Sequence, residues 1–158
     1  MRSYQIVNLP SGSFKIDTED FHVLVGMRWE INRGYVKQAW KRGSPRGDKN
    51  ALARLILKAP KNLFVDHING DPLDNRRFNL RLATPSENMM NKRKAKKEKS
   101  TSIYKGVDFH KGKWRVRIKK NKVVIYDLRA DTETEAALLY NKLALEVHGE
   151  FARLNKIT

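Results

Sequence analysis

The chain contains no cysteine. That excludes disulfides and any cysteine-ligated zinc site. No apolar run approaches the roughly 20 residues needed to cross a bilayer. The opening Met1-Arg2-Ser3-Tyr4-Gln5 lacks the apolar core of a secretory signal. No internal repeat is visible. Acid is scarce, with 17 Asp and Glu against 33 Lys and Arg. Apolar residues still make up 40% of the 158, too many for a wholly disordered chain. The length allows one ordinary domain or two small ones, each with a marginal core of its own.

What the chain has in excess is positive charge, and it is concentrated. Residues 92–122 hold 14 Lys and Arg against Glu98 and Asp108, which is +12 of the net +16. Phosphate backbones are the natural partner, because each phosphate neutralised releases counterions. An anionic membrane would want these charges on an amphipathic helix with a bulky apolar face. The second half of the block alternates like a strand instead, which favours nucleic acid and argues against a membrane.

Residues 1–50 read as a small mixed segment. Asp17-Thr18-Glu19-Asp20 can start a short helix carrying Phe21, Leu24 and Val25. Met27 to Ile31 and Tyr35 to Trp40 suit a hairpin turning at Asn32-Arg33-Gly34. Gly43-Ser44-Pro45-Arg46-Gly47-Asp48 reads as a loop. Residues 51–57 suit a short buried helix that Ala59-Pro60 ends. Residues 63–69 and the stretch around Asn79-Leu80-Arg81-Leu82 read as two short strands joined by a polar turn. Thr84-Pro85-Ser86-Glu87 then starts a helix with a capping box.

Lys92 to Ser102 is a linker of like charges, extended until it meets an anion. Three strands are expected over 103–128. Trp114, Val116 and Ile118 alternate with Lys113, Arg115, Arg117 and Lys119, so one face is apolar and the other cationic. Thr132-Glu133-Thr134-Glu135 is a second capping box. Ala136, Tyr140, Leu143, Ala144 and Val147 follow at helical spacing up to Gly149. That helix is expected to cover the apolar face and leave the cationic one open.

One run carries chemistry. Val65-Asp66-His67-Ile68-Asn69-Gly70-Asp71 sets a carboxylate beside an imidazole, with Asn79 and Asn88 further along. Hydrolysing a phosphodiester needs an activated water and a neutralised phosphate. His67 is the candidate base, since imidazole titrates near neutrality. Asp66 and Asn88 offer the oxygen donors that suit a hard cation, with Asn91 competing one helical turn later. Asn69, Asp71 and Asp74 read as turn formers. The cationic strand face, with Lys105 nearby, is the candidate duplex-binding surface. Trp114 reads first as a sheet anchor and second as a stacking group for bases.

Two families share these patterns. Residues 52–94 resemble the HNH nuclease module of phage and intron-borne homing endonucleases. The matching text is Arg54-Leu55-Ile56-Leu57, Val65 to Asp71, Leu73-Asp74-Asn75-Arg76-Arg77, Asn79-Leu80-Arg81, Ala83-Thr84 and Asn88. Residues 102–155 resemble the Apetala2-type DNA-binding domain, through Tyr104-Lys105-Gly106-Val107, Lys113 to Ile118, Thr134-Glu135-Ala136-Ala137, Tyr140-Asn141 and Gly149 to Asn155.

The resemblance implies an α+β chain: a ββα-metal nuclease module followed by a three-stranded antiparallel sheet packed on one helix. Its expected parts are an N-terminal segment 1–50, the nuclease module 51–94, a basic linker 95–102 and the DNA-binding domain 103–158. It implies a site-specific endonuclease that acts on double-stranded DNA in the cytoplasm of a bacterial or phage-infected cell. One divalent ion is implied, magnesium first and manganese second. Asn79 is implied to bind the loop backbone and keep His67 aimed. Lys105, Lys113, Trp114, Arg115, Arg117 and Lys119 are implied to contact DNA. With no heptad seam in the sequence, the expectation is a monomer that cuts one strand at a time.

One position departs from the family pattern. The family has His before the Arg-Leu-Ile-Leu run, where this chain has Ala53. A DNA-binding protein with a degenerate nuclease site is therefore the alternative reading. A basic protein bound to RNA or the ribosome is a third.

Overall fold

Residues 4–17 form a hairpin that the alternation of Phe14 and Ile16 dictates. Both are buried, and β1 (Tyr4–Leu9) pairs antiparallel with β2 (Gly12–Asp17) around Pro10-Ser11. The computed structural model describes residues 3–39, 51–95 and 100–157. The loop expected at Gly43 to Asp48, the strand end at Trp40 and much of the basic linker lie outside them. The chain divides into two compact units, Met1–Pro85 and Ser86–Thr158.

In the first unit, a 3-10 helix (Thr18–Leu24) follows β2 where a short helix was expected. Of its three anticipated apolar contacts only Leu24 is buried, while Phe21 and Val25 face solvent. Asp17 does not cap this helix. Its carboxylate instead accepts the Arg77 backbone N–H at 2.8 Å. The hairpin β3 (Trp29–Asn32) and β4 (Tyr35–Gln38) turns at Arg33-Gly34. Both turn residues have positive φ, 51° and 80°, as a tight two-residue hairpin turn requires. The short helix α1 (Leu52–Ile56) precedes the hairpin β5 (Phe64–His67) and β6 (Leu80–Ala83).

One apolar core joins these pieces: Phe14, Ile16, Leu24 and Val36 from the N-terminal segment, and Leu52, Ala53, Ile56 and Leu80 beyond it. The anticipated boundary near residue 50 therefore separates no two cores. The N-terminal hairpins lend the nuclease-like segment the apolar surface that a module of its length lacks. Backbone docking agrees, since Lys15 N donates to Leu73 O and Asn75 N donates to Lys15 O, both at 2.8 Å.

In the second unit, α2 (Pro85–Asn91) lies at the division and is followed by β7 (Val107–His110), β8 (Lys113–Lys120) and β9 (Val123–Ala130). The sheet order is β7-β8-β9, all antiparallel. Helix α3 (Glu133–His148) starts at a complete Thr132–Glu135 capping box and ends at Gly149, with φ 54°. Ala136, Ala137, Tyr140, Leu143 and Ala144 pack on Val107, Val116 and Ile118, so the apolar strand face meets the helix. The sheet runs two residues past the expected end at 128. Gly106 sits at φ +71° with Tyr140 against it, and an added Cβ would lie 2.2 Å from the Tyr140 ring. Among the described residues no helix is long and apolar enough to cross a membrane.

Candidate active site and cationic face

Strand β5 ends on the Asp66-His67 pair, and register fixes what each residue meets. Asp66 lies opposite Arg81 and His67 opposite Leu80. Adjacent strand residues project to opposite faces, so the acid and the imidazole leave the hairpin on different sides. Both are buried. Arg81 holds Asp66 Oδ2 through Nε at 2.9 Å and Nη2 at 2.8 Å. On the other side, His67 Nε2 lies 3.4 Å from Asn75 Oδ1, and the Tyr35 ring meets the imidazole edge-on at 6.2 Å. Burial lowers the His67 pKa below its ordinary value. Asn75 and the carboxylates of Asp66, Asp71 and Asp74 oppose that shift without cancelling it.

The β5–β6 loop is held by its own amides. Asn79 Oδ1 accepts Asn69 N–H at 2.9 Å, and Asn79 Nδ2 donates to Asp74 O at 2.8 Å. Asn69 and Asp71 form side-chain turns, each accepting the backbone N–H two residues on, at 2.7 and 3.0 Å. Asp74 does more than turn the chain. It pairs side-on with Arg76 through two 2.7 Å bonds and accepts Asn69 Nδ2 at 3.1 Å. The Arg76 guanidinium lies between the Tyr4 and Phe78 rings, 4.6 and 4.5 Å from their centroids. Arg54 donates to the carbonyls of Leu63, Pro60 and Ala59, closing the turn that leads into β5.

Asp17, Glu19 and Asp20 cluster closely enough to hold a cation. Arg77 already serves them. It grips Asp20 through Nε at 2.8 Å and Nη2 at 2.6 Å, and reaches Glu19 at 3.4 Å. Asn75, Arg81 and Arg77 are the residues missed as site partners. All three stand within the motif, and their roles depend on pairings that no local period encodes.

Asn88 is half-buried and Asn91 buried, both on α2. Ala53 is a core residue of α1, 6% exposed. Lys105, expected beside the cationic face, turns inward. Its Nζ donates to the carbonyls of Met90 and Lys92, and burial and Arg153 bring its pKa to about 8. Trp114 is half-buried on the helix side of the sheet and meets Phe109 edge-on at 5.1 Å, as a sheet anchor does.

The cationic side of β8 carries Lys113, Arg115, Arg117 and Lys119, but carboxylates stand among them. Arg115 pairs with Asp108, Arg117 and Arg129 with Asp127, and Lys113 with Asp131. The face expected to be open is cross-linked by its own acids.

A buried acid–imidazole step on a short hairpin, beside a loop pinned by asparagines, makes one compact polar site in an α+β unit. Residues 58–90 match the HNH endonuclease family. An uncharacterized HNH endonuclease of Acanthamoeba polyphaga mimivirus is 36% identical over 140 residues, covering 82% of this chain and 72% of that protein. Protein 3.8 of Escherichia phage T7 is 34% identical over 96 residues, 60% of this chain and 77% of that protein. No solved structure matches the chain. The chain belongs to the HNH endonuclease family. Such nucleases generally use a divalent metal, and one of this family would act on DNA.

Proposed function

We propose that the chain is a divalent-metal-dependent, site-specific DNA endonuclease of the homing type that nicks one strand. Residues 51–94 supply hydrolysis, and residues 103–158, as an Apetala2-type domain, supply duplex binding. The observation that carries this reading is the buried His67, next to Asp66 and aimed by Asn75.

Asn75 Oδ1 can only accept, so the ring proton belongs on Nε2 and the basic lone pair on Nδ1. The lowered pKa favours the neutral imidazole that a general base requires. Asn79 keeps the loop beside it from moving. Asp66 and Asn88 are the oxygen donors assigned to the metal, and their chemistry fits a hard cation such as magnesium. Arg81 on Asp66 Oδ2 is the competitor that such an ion meets. When bound, the ion supplies positive charge to the phosphate and to the departing 3′-oxygen.

The test uses supercoiled plasmid carrying the insertion site, with and without magnesium. The expected first product is the nicked circle. His67→Ala is expected to slow its formation by about 10²–10⁴ with duplex affinity unchanged. Calorimetric titration with magnesium, without DNA, is expected to show binding that Asp66→Asn abolishes. Wild-type nicking by both variants rejects the site assignment.

A second reading rests on Ala53. The position where the family carries His is packed into the apolar core, so the chain is a DNA-binding protein without turnover if magnesium never yields a nick.

A further inference from the structure

The two central arginines of β8 are both held from the Nε side, Arg115 by two carboxylate oxygens and Arg117 by one. Asp108, opposite Arg115 on β7, takes its Nε at 3.1 Å and its Nη2 at 2.6 Å. Asp127, opposite Arg117 on β9, takes its Nε at 3.2 Å and its Nη2 at 3.0 Å. Both contacts are side-on. A guanidinium has five N–H donors in a rigid plane. A side-on carboxylate uses Nε and one hydrogen of Nη2. The end of the plane, Nη1 with the second Nη2 hydrogen, stays as a two-pronged donor. That is the fork that matches the O6 and N7 acceptors of guanine in the major groove. Arg129 is engaged differently, through Nη1 to Asp127 Oδ1 at 2.6 Å and to Leu128 O at 3.2 Å, so the fork is not presented there.

Charge points the same way. Arg115, Arg117 and Arg129 on this patch are offset by Asp108 and Asp127. A surface built to grip phosphate has no use for two carboxylates. They repel the backbone and weaken non-specific attraction. Held between them, an arginine gains only where a directional acceptor pair meets its fork. Both carboxylates are over a third exposed, so they can act on a ligand rather than only on the core.

We propose that Asp108 and Asp127 are specificity-determining positioning residues: they aim Arg115 and Arg117 at guanine edges and penalise phosphate contacts. This rests on the proposed duplex binding by the second unit. Neither carboxylate is assigned to touch DNA, and neither belongs to the hydrolytic site.

The experiment is selection of duplexes from a randomised pool by the full-length protein, beside titration of one fixed random-sequence duplex over a salt series. The wild type is expected to enrich a motif containing guanines. Asp108→Asn and Asp127→Asn, which keep the side-chain shape, are expected each to lose enrichment at one or two guanine positions. Each is also expected to bind the random duplex more tightly, with a salt slope steeper by about 0.9 for every additional phosphate neutralised. Asp127→Glu keeps the charge but shifts the fork. It is expected to lose enrichment with random-duplex affinity unchanged, which separates aiming from repulsion. A wild-type motif that both Asn variants retain at full strength overturns the positioning role alone. Failure of the wild type to enrich any motif overturns the duplex-binding reading and this inference together. Because a purely structural role would lower all binding, uniform weakening with the motif intact also rejects the inference.

Discussion

The two units bury different mixtures of side chain. The first buries Asp17, Asp20, Asp66, His67, Asp74, Asn75 and Asn79 beside a small apolar core. The second packs a helix on a sheet and keeps its charged pairs on the outside. Charge is costly to bury unless it is paired and hydrogen-bonded, so the first unit's acids have arginines: Arg77 for Asp20, Arg76 for Asp74, Arg81 for Asp66. The comparison teaches where rigidity comes from in each. In the first unit, directional bonds fix a loop and an imidazole. In the second, apolar packing fixes a platform whose outer face is cross-linked by paired charges.

The largest expected effect comes from breaking one clamp. Arg77→Met leaves Asp20 buried and unpaired, and removal of one partner from a buried pair costs about 3–5 kcal/mol. Denaturant unfolding is expected to show that loss in the first unit, with the second unit's transition unmoved. Next comes Ala53→His, the change that restores the family's residue. The side chain enters the core beside Leu52 and Ile56, and overpacking costs about 1–3 kcal/mol. Less stability without faster nicking is the expected outcome. If nicking rises and stability holds, the packing account of Ala53 is wrong.

The smallest effects are in pH, and two groups, one in each unit, carry opposite signs. Pairing with Arg76 holds the Asp74 carboxyl below its ordinary value. That contribution is full above the unfolded value near 4 and is lost as pH falls through the lower folded value, so acid loosens the first unit. Burial raises the Tyr140 hydroxyl to about 12. Its contribution is full below the unfolded value near 10 and is lost as pH rises through 12, so alkali loosens the second unit. Hydrogen exchange read residue by residue across both limits checks the pair of signs. Unchanged protection around Asp74 in acid, or around Tyr140 in alkali, would break the comparison.

The same contrast explains what is legible in the sequence. Helix α3 and strand β8 are readable because periods of 3.6 and 2 and a capping box are local signals. The β5–β6 hairpin is readable from its motif. The Arg77–Asp20 clamp spans 57 residues of sequence, and no local period carries such a pair. The β1–β2 hairpin is not among the expected elements, although Pro10-Ser11-Gly12 is a turn and Phe14 and Ile16 alternate behind it. The inward turn of Lys105 is hidden because a lysine in a basic stretch looks like any other until the carbonyls of Met90 and Lys92 are placed. The acids among the β8 cations are visible as residues, but only cross-strand register shows which arginine each one holds.

Near the far end of the chain, Asn155 lies against Lys105. Its Oδ1 accepts the Lys105 N–H at 2.7 Å and its Nδ2 donates to the Lys105 carbonyl at 3.1 Å, while Asn141 embraces the Asn155 backbone at 2.7 and 2.9 Å. Start and finish of the sheet-and-helix region therefore meet at one spot, fastened like the two ends of a bracelet. Ends that meet in this way have the geometry that circular permutation and domain insertion use.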